Sequence, residues 1–138
     1  MIVTDTNVVS EPLKPHPDAR VIGWLQRHRD ELAITAITIG ELRHGALRLP
    51  PGNRRDKLMT SVSFLVDGMK ERQLAFDPLA AEEYATIRAE REAAGRNIGV
   101  EDTMIAGICR SRGAAIATRN VRHFEGTGII VINPWTDE

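Results

Sequence analysis

The segment "IVTDTNVVSE", residues 2–11, decides the fold because an apolar run passes directly into a helix-forming stretch at Asp5. Residues 1–5 predict a short buried strand. A helix is predicted over residues 6–12, and it must stop near Pro12 and Pro15 because proline cannot continue a helix. Asp5 lies at the junction, where it is either a helix cap or one part of an active site.

The rest of the chain alternates between the same two kinds of element. Further strands are predicted at residues 31–35, 74–76, 114–118 and 128–133. A second helix is predicted after the capping residue Asp18, and further helices over residues 37–49, 53–73, 79–95 and 101–113, with Asp77 as the cap of the 79–95 helix. Short apolar strands that alternate with helices are typical of a parallel sheet covered on both faces. We therefore predict an α/β protein, a single domain over residues 1–138 with a central five-stranded parallel sheet flanked by helices.

Composition limits the class of protein without naming a partner. The chain has 138 residues, 42% of them hydrophobic and 27% charged, with a formal net charge of −1, as in ordinary globular enzymes and binding modules. Of its 18 basic residues 15 are arginine, whose planar guanidinium suits phosphate groups. The single cysteine, Cys109, excludes an internal disulfide and a four-thiolate zinc site. No apolar run is long enough to span a membrane, and no signal peptide is evident, so we expect a cytoplasmic protein.

Four oxygen-bearing side chains are predicted to meet at the carboxyl edge of the sheet. Asp5 closes the first strand, and Asn120 follows the fourth strand by two residues. Glu41 and Asp102 lie in the early turns of two helices that begin on the same edge, where ligands bind in such folds. Three carboxylates close together repel one another and raise their pKa values unless a cation lies between them. Hard oxygen ligands select Mg²⁺ or Mn²⁺ over zinc.

Each of these residues also has a structural interpretation. Asp5 could cap the first helix, and Thr38 with Glu41 fits the S/T-x-x-E capping box. Glu101, like its neighbour at position 102, could complement a helix dipole. The side chain of Asn120 could bond to nearby backbone, as loop asparagines do. The functional hypothesis depends on all four oxygen-bearing residues reaching one edge, which these structural roles do not require.

Several other residues carry weaker signals. His44 and His123 could contact substrate, but the sequence favours solvated side chains for both. Three aromatic residues are predicted to pack in the core and not to stack on bases, namely Trp24, Phe124 and Trp135. Four arginines flank the predicted crevice and are candidate phosphate contacts, namely Arg43, Arg96, Arg119 and Arg122.

Three motifs together resemble a known family. They are "DTNVVSE" at residues 5–11, "GELRHG" at 40–45 and "EDTMIAGICRSRGAAIATRNVRHFEGTGIIVINPW" at 101–135. This combination, which spans nearly the whole chain, resembles the PIN-domain ribonucleases and in particular the VapC-type toxins of bacterial toxin–antitoxin pairs. The closing "NPW" is similar to their FitB-like branch. The resemblance implies a PIN-like domain and a metal-dependent ribonuclease that hydrolyses RNA with a metal-activated water.

The resemblance also implies roles for particular residues. In the family the acidic positions hold Mg²⁺ or Mn²⁺, and they correspond here to Asp5, Glu41 and Asp102. The fourth position is Asn120, where many relatives carry aspartate, so binding of a second metal ion is in question. Polar residues that support the site in relatives correspond to Thr6, Asn7 and Thr118. The family further implies a homodimer and inhibition by a cognate antitoxin, similar to VapB or FitA, whose C-terminal segment lies across the site.

Other classes of protein compete with this interpretation. A phosphoacceptor regulatory domain needs a lysine late in the sheet, and the chain has lysine only at positions 14, 57 and 70. A haloacid-dehalogenase-like phosphatase needs a second aspartate where this chain has Asn7. The main alternative is a catalytically weakened PIN-fold module that binds RNA or protein, because Asn120 departs from the acidic pattern.

Overall fold

The computed structural model describes residues 1–137 and contains a five-stranded sheet in which every pair of neighbours is parallel. The order across the sheet is β3-β2-β1-β4-β5, so β1 occupies the centre. The strands are β1 Ile2–Thr4, β2 Leu32–Thr35, β3 Gln73–Leu74, β4 Ala115–Ala117 and β5 Val131–Ile132. The predicted α/β fold with a central parallel sheet is confirmed.

Six α-helices connect the strands. They are α1 Thr6–Val9, α2 Ala19–Arg27, α3 Ala36–Leu47, α4 Asn53–Gly68, α5 Pro78–Ala93 and α6 Val100–Arg112. Two predicted caps are present, because Asp18 accepts from the Arg20 N–H and Asp77 accepts from the Ala80 N–H. Gly113 ends α6 in the left-handed conformation that glycine adopts without strain. Within residues 1–137, no helix combines the length and the apolar character that crossing a bilayer requires.

Four predicted element boundaries are wrong, the simplest case being the third strand, which was predicted over residues 74–76 and is Gln73–Leu74. The first helix ends at Val9, and a 3₁₀ turn over Glu11–Leu13 follows because Pro12 lacks the N–H that would continue the helix. The fourth helix ends at Gly68 instead of residue 73, since Gln73 pairs with Ile34 to begin β3. The last strand, predicted over residues 128–133, has two residues because only these find partners in the short strand β4.

Helices cover both faces of the sheet. Ile2 packs on one face in a cluster with Trp24, whereas Val3 packs on the other in a cluster with Ile105, as expected for successive residues of a strand. A third cluster joins α3 and α4 to the sheet through Ile34. Trp24, Phe124 and Trp135 are buried, which confirms their predicted packing role.

Helix α6 packs closely against α5, and this contact sets the position of the site residues on α6. A Cβ atom at Gly107 would lie 2.6 Å from the carbonyl oxygen of Ala80, so only glycine permits this approach. Two residues further on, burial raises the pKa of the Cys109 thiol to about 12. The thiol is therefore neutral at physiological pH and packs as a small apolar group.

Candidate active site

Asp5 is both a helix cap and a buried site residue. It follows β1, caps α1 and is only 4% exposed. Its Oδ1 accepts from the backbone N–H of Thr6 at 2.8 Å, while its Oδ2 accepts from the Thr118 hydroxyl at 2.7 Å and from the Asn7 amide at 3.4 Å. Of the two roles that the sequence left open, the structure confirms the helix cap, and the active-site role stays a prediction. Oδ1 of Asp5 caps the helix, and Oδ2 is held by Asn7 and Thr118, which lie in the segments that follow β1 and β4.

Glu41 lies in α3 and approaches Asp5 through a shared neighbour. Its Oε2 accepts from the Thr6 hydroxyl at 3.0 Å, and Thr6 is the residue whose N–H bonds to Asp5. Its Oε1 is buried and has no hydrogen-bond partner within residues 1–137. The capping-box alternative is wrong, because α3 is capped by Thr35, which accepts from the Thr38 N–H at 3.1 Å. Glu41 is therefore free of any capping role.

The environment raises the pKa of the buried Asp5 carboxyl group and of the half-buried Glu41 carboxyl group. For Asp5 the main cause is burial, and the negative charge of Asp102 acts in the same direction. For Glu41 burial again dominates, with further contributions from the charges of Asp5, Glu101 and Asp102. Hydrogen bonds from Thr118 and Thr6 oppose these shifts. Within the described chain no lysine or arginine pairs with Asp5 or Glu41, so the crevice gathers negative charge without a basic partner.

Asp102 lies in the first turn of α6 and contacts His123, one of the two histidines that the sequence offered as possible substrate contacts. Its Oδ2 lies 2.6 Å from Nδ1 of His123, which belongs to the 3₁₀ turn Val121–His123 after β4. The side chain of His123 is still 46% exposed, so it is partly solvated, but its contact with Asp102 was not predicted. One feature of the sequence could have predicted this contact. His123 lies three residues after Asn120, which is one turn of the 3₁₀ helix Val121–His123. The solvated interpretation does hold for His44, which is exposed.

Asn120 is the most exposed of the four predicted site residues. Its backbone N–H donates to the Thr118 hydroxyl at 3.0 Å, and Thr118 in turn bonds to Asp5. Its side chain does not cap the 3₁₀ turn that follows, so the alternative of a bond to that turn is not observed. The structure connects Asn120 to Asp5 through one intervening hydroxyl. Direct coordination by its side-chain oxygen stays a prediction.

Three polar residues join the loops around Asp5, and their role as supporting residues of an active site stays a prediction. Thr6 bonds to both acidic neighbours, and Thr118 bridges Asp5 and Asn120. Asn7 donates to Asp5 and accepts from the backbone N–H of Arg119 at 3.2 Å. The loops after β1 and β4 are thereby tied together around one carboxylate.

The four flanking arginines have different environments. The Arg119 guanidinium lies 4.9 Å from the centre of the Trp135 ring, a cation–π distance. Arg96 pairs with Glu125 at 3.3 Å on the surface, and Arg43 donates to the Ser63 hydroxyl at 3.3 Å. Arg122 is exposed. Their roles in RNA binding stay predictions, with Arg43 directed towards α4.

The observed geometry is an acidic crevice and not a preformed metal cage. Within residues 1–137, no three histidine, cysteine, aspartate or glutamate side chains lie together in a group with metal-binding geometry. The crevice nevertheless fits a hard divalent cation in its chemistry. All of its donors are oxygens, and the buried, unpartnered Oε1 of Glu41 is an acceptor that a cation would satisfy.

A central parallel strand is followed by a buried aspartate, with further carboxylates beside it at the sheet edge, which is the arrangement expected of an α/β protein with the predicted PIN-like fold. The PIN domain family matches residues 2–128, and the chain belongs to this family. The resemblance predicted from the three sequence motifs is thereby confirmed.

Within the family the chain is similar to ribonuclease toxins. It is 38% identical to the VapC ribonuclease Y4jK of Sinorhizobium fredii, with 98% of each chain covered. It is 37% identical to the toxin FitB of Neisseria gonorrhoeae, covering 99% of this chain and 100% of that protein. The crystal structure of FitAcB from Neisseria gonorrhoeae superposes with a TM-score of 0.93 at 34% identity, covering 99% of this chain and 100% of that one.

Proposed function

We propose that this protein is a metal-dependent endoribonuclease, the toxin of a type II toxin–antitoxin pair. One observation carries the proposal: the buried carboxylate of Asp5 and the half-buried carboxylate of Glu41 are connected through Thr6 without a basic partner, and the buried Oε1 of Glu41 has no hydrogen bond within residues 1–137. Leaving such groups uncompensated in a protein interior is costly, so this arrangement is expected where a cation binds. The similarity to a VapC ribonuclease and to the toxin FitB supports the same activity.

Asp5, Glu41 and Asp102 would hold Mg²⁺ or Mn²⁺, with Asn120 able to add its neutral side-chain oxygen. Asp5 Oδ1 accepts one observed hydrogen bond and, like each carboxylate oxygen, has room for a second partner. When bound, the cation would activate an attacking water and offset negative charge on the phosphodiester.

The residues of the chain would then perform distinct tasks. The hydroxyl of Thr118 and the backbone N–H of Thr6 orient Asp5 and prevent its carboxylate from rotating. Glu41 would share coordination of the cation or orient the attacking water through its unpartnered Oε1. Exposed arginines beside the crevice, Arg119 and Arg122, would hold the flanking phosphates. Attack by water leaves a 5′-phosphate and a 3′-hydroxyl, since the RNA 2′-hydroxyl is not the nucleophile.

A cognate antitoxin would inhibit by supplying the missing positive charge. Because no lysine or arginine of the described chain pairs with Asp5 or Glu41, an arginine or lysine of the partner could enter the crevice in place of the cation. The FitAcB complex, to which this chain is similar, supports a partner of this kind. The predicted homodimer is a further part of the proposal, and analytical ultracentrifugation of the purified chain would contradict it by showing only monomer.

RNA cleavage by the purified, antitoxin-free chain tests the proposed function. We expect cleavage with Mg²⁺ or Mn²⁺, products that carry 5′-phosphates, and loss of activity in EDTA because the carboxylates alone cannot activate water. Adding the cognate antitoxin should stop cleavage and weaken Mn²⁺ binding together. Equal cleavage in EDTA would exclude the metal mechanism, and full metal affinity in the inhibited complex would exclude inhibition at this site.

Asn120 supports the second candidate, a weakened PIN module that binds RNA without cutting it. Asparagine offers a neutral oxygen where an aspartate would offer a full charge, so the crevice compensates one divalent ion better than two. RNA binding without cleavage in Mg²⁺ or Mn²⁺ would favour this candidate.

Replacing Asn120 with aspartate should tighten Mn²⁺ binding about tenfold, equivalent to about 1.4 kcal/mol, because a hard anionic ligand is added at nearly constant volume. The added charge should also lower the stability of the metal-free protein modestly near neutral pH, since it repels the nearby carboxylates. Calorimetric titration with Mn²⁺ and melting of the metal-free protein measure both effects. The control Asn53→Asp adds the same charge at the exposed start of α4 and should leave Mn²⁺ affinity unchanged. Unchanged affinity and stoichiometry in Asn120→Asp would place Asn120 outside the metal site.

A further inference from the structure

Arg91 is a buried arginine with no acidic partner. It lies near the end of α5, is only 5% exposed, and forms no ion pair within residues 1–137. Its guanidinium instead donates to three backbone carbonyls of one short segment. Nη1 bonds to the Glu125 carbonyl, and Nη2 bonds to those of His123 at 3.1 Å and Arg122 at 3.4 Å. Burying a guanidinium without an acidic partner costs free energy. The contacts that Arg91 makes are therefore expected to serve a function that offsets this cost.

The segment that Arg91 holds, residues 121–125, carries His123 to the candidate site. The carbonyl of His123 accepts from Arg91 while the ring of the same residue contacts Asp102 at 2.6 Å. A carboxylate only accepts hydrogen bonds, so Nδ1 of His123 carries the proton and donates it to Asp102. One residue thus connects the buried cation on α5 with an acidic side chain on α6.

The other arginine side chains that contact this loop bind it more weakly or further from the histidine. Arg96 pairs with the Glu125 side chain, but both groups are about half exposed, where ion pairs contribute little. Arg110 reaches the Thr127 carbonyl at 3.4 Å, four residues beyond His123. Arg91 is the contact that is both buried and bonded to His123 itself. Its planar guanidinium can bind several carbonyls of a loop at once, which fixes the path of the backbone.

We propose that Arg91 is a positioning residue, which fixes the 121–125 backbone so that His123 stays bonded to Asp102. Partners that hydrogen-bond to a metal-binding carboxylate orient it, and their loss typically weakens metal binding. Arg91 would act on the site only through His123 and would touch neither metal nor RNA. The proposal rests on the proposed function for the role of Asp102 as a metal ligand, whereas the contact between His123 and Asp102 is independent of it.

Two measurements on the purified full chain test this role. Imidazole ¹⁵N–¹H correlation spectra report the Nδ1 proton of His123, and calorimetric titration gives the affinity for Mn²⁺. We expect Arg91→Met to lose the Nδ1–H signature and to weaken Mn²⁺ binding by about 10- to 100-fold, as His123→Ala should. Arg91→Lys should lie between Arg91→Met and the wild type, because lysine keeps the charge but lacks the planar fork. Arg88→Met, which removes an exposed arginine one turn earlier on α5, should behave as the wild type.

A double-mutant cycle separates positioning through His123 from a general structural effect. If Arg91 acts through His123, adding Arg91→Met to His123→Ala should weaken Mn²⁺ binding no further. Losses that multiply in the double variant, or an unchanged His123 signature in Arg91→Met, would overturn the proposal. If circular dichroism shows that Arg91→Met does not fold, Arg91→Lys takes its place in the same cycle and the same outcomes decide. A wild-type protein that neither binds Mn²⁺ nor cuts RNA would refute the proposed function, while the His123 spectra would still decide the role of Arg91.

Discussion

Asp5→Asn is expected to reduce RNA cleavage by about 10³-fold or more, equivalent to about 4 kcal/mol of lost transition-state stabilisation. The substitution keeps the volume of the side chain and an oxygen that can accept from the Thr6 N–H, but it removes the charge at the centre of the crevice. The hydroxyl of Thr118 can reverse its hydrogen bond and accept from the new amide. The fold should therefore survive, and cleavage of a labelled RNA under Mg²⁺ measures the loss.

The matched control for this substitution is Asp56→Asn, an exposed aspartate in the first turn of α4. It should cut RNA at the wild-type rate and melt within a few degrees of the wild type. The metal-free Asp5→Asn protein should melt no lower than the wild type at neutral pH, since a buried charge whose pKa is raised by desolvation has been removed. An Asp5→Asn protein that folds and cuts RNA at the wild-type rate would remove Asp5 from the active site.

Mn²⁺ is expected to stabilise the wild-type protein, and to do so more at pH 7.5 than at pH 5. Burial raises the pKa of Asp5 and Glu41 in the folded state. Protonation of these groups therefore favours the fold fully below their ordinary pKa values of about 4, and this contribution is lost as pH rises through the raised values. A divalent cation binds the ionised forms, so its stabilisation increases over the same pH window.

Thermal melts in EDTA and in Mn²⁺ measure this coupling. At a concentration 100 times its dissociation constant, Mn²⁺ should add about 2.7 kcal/mol, or about 8 °C in melting temperature, at pH 7.5. Glu41→Gln should lose most of this gain because it removes the charge but keeps the acceptor for the Thr6 hydroxyl. Asp56→Asn should retain the gain. A gain of equal size at both pH values would show that Asp5 and Glu41 do not titrate with metal binding.

Local sequence signals predicted the fold well where one short segment determines the outcome. The alternation of strands and helices predicted the parallel sheet, and the caps at Asp18 and Asp77 formed as expected. These predictions succeeded because a cap bonds to backbone only two or three residues away. Boundaries failed where a distant strand decided the outcome. The pairing of Gln73 with Ile34 ended the fourth helix early, and no local pattern contains that pairing.

The candidate site divides in the same way. The positions of Asp5, Glu41 and Asp102 followed from strand ends and helix starts on one sheet edge, together with the motifs shared with the PIN family. The bond between His123 and Asp102 did not follow, because it spans 21 residues and depends on the path of a single 3₁₀ turn. The contacts of Arg91 with backbone carbonyls could not be predicted either, because every residue has a carbonyl group and the sequence does not show which of them accepts a hydrogen bond.

By itself the sequence determined the order of the elements, the two faces of the sheet and the set of oxygen donors at its edge. The elements and the sheet faces follow from the periodicity of apolar residues. The oxygen donors follow from residue type, because a carboxylate or amide oxygen can bind a hard cation at any position in the chain. The tertiary structure alone decided that Glu41 is no capping residue, that its Oε1 lacks a partner, and that a buried arginine holds the loop of His123. Such features depend on which groups from distant segments share a desolvated space, because a hydrogen bond forms or fails within a few tenths of an ångström.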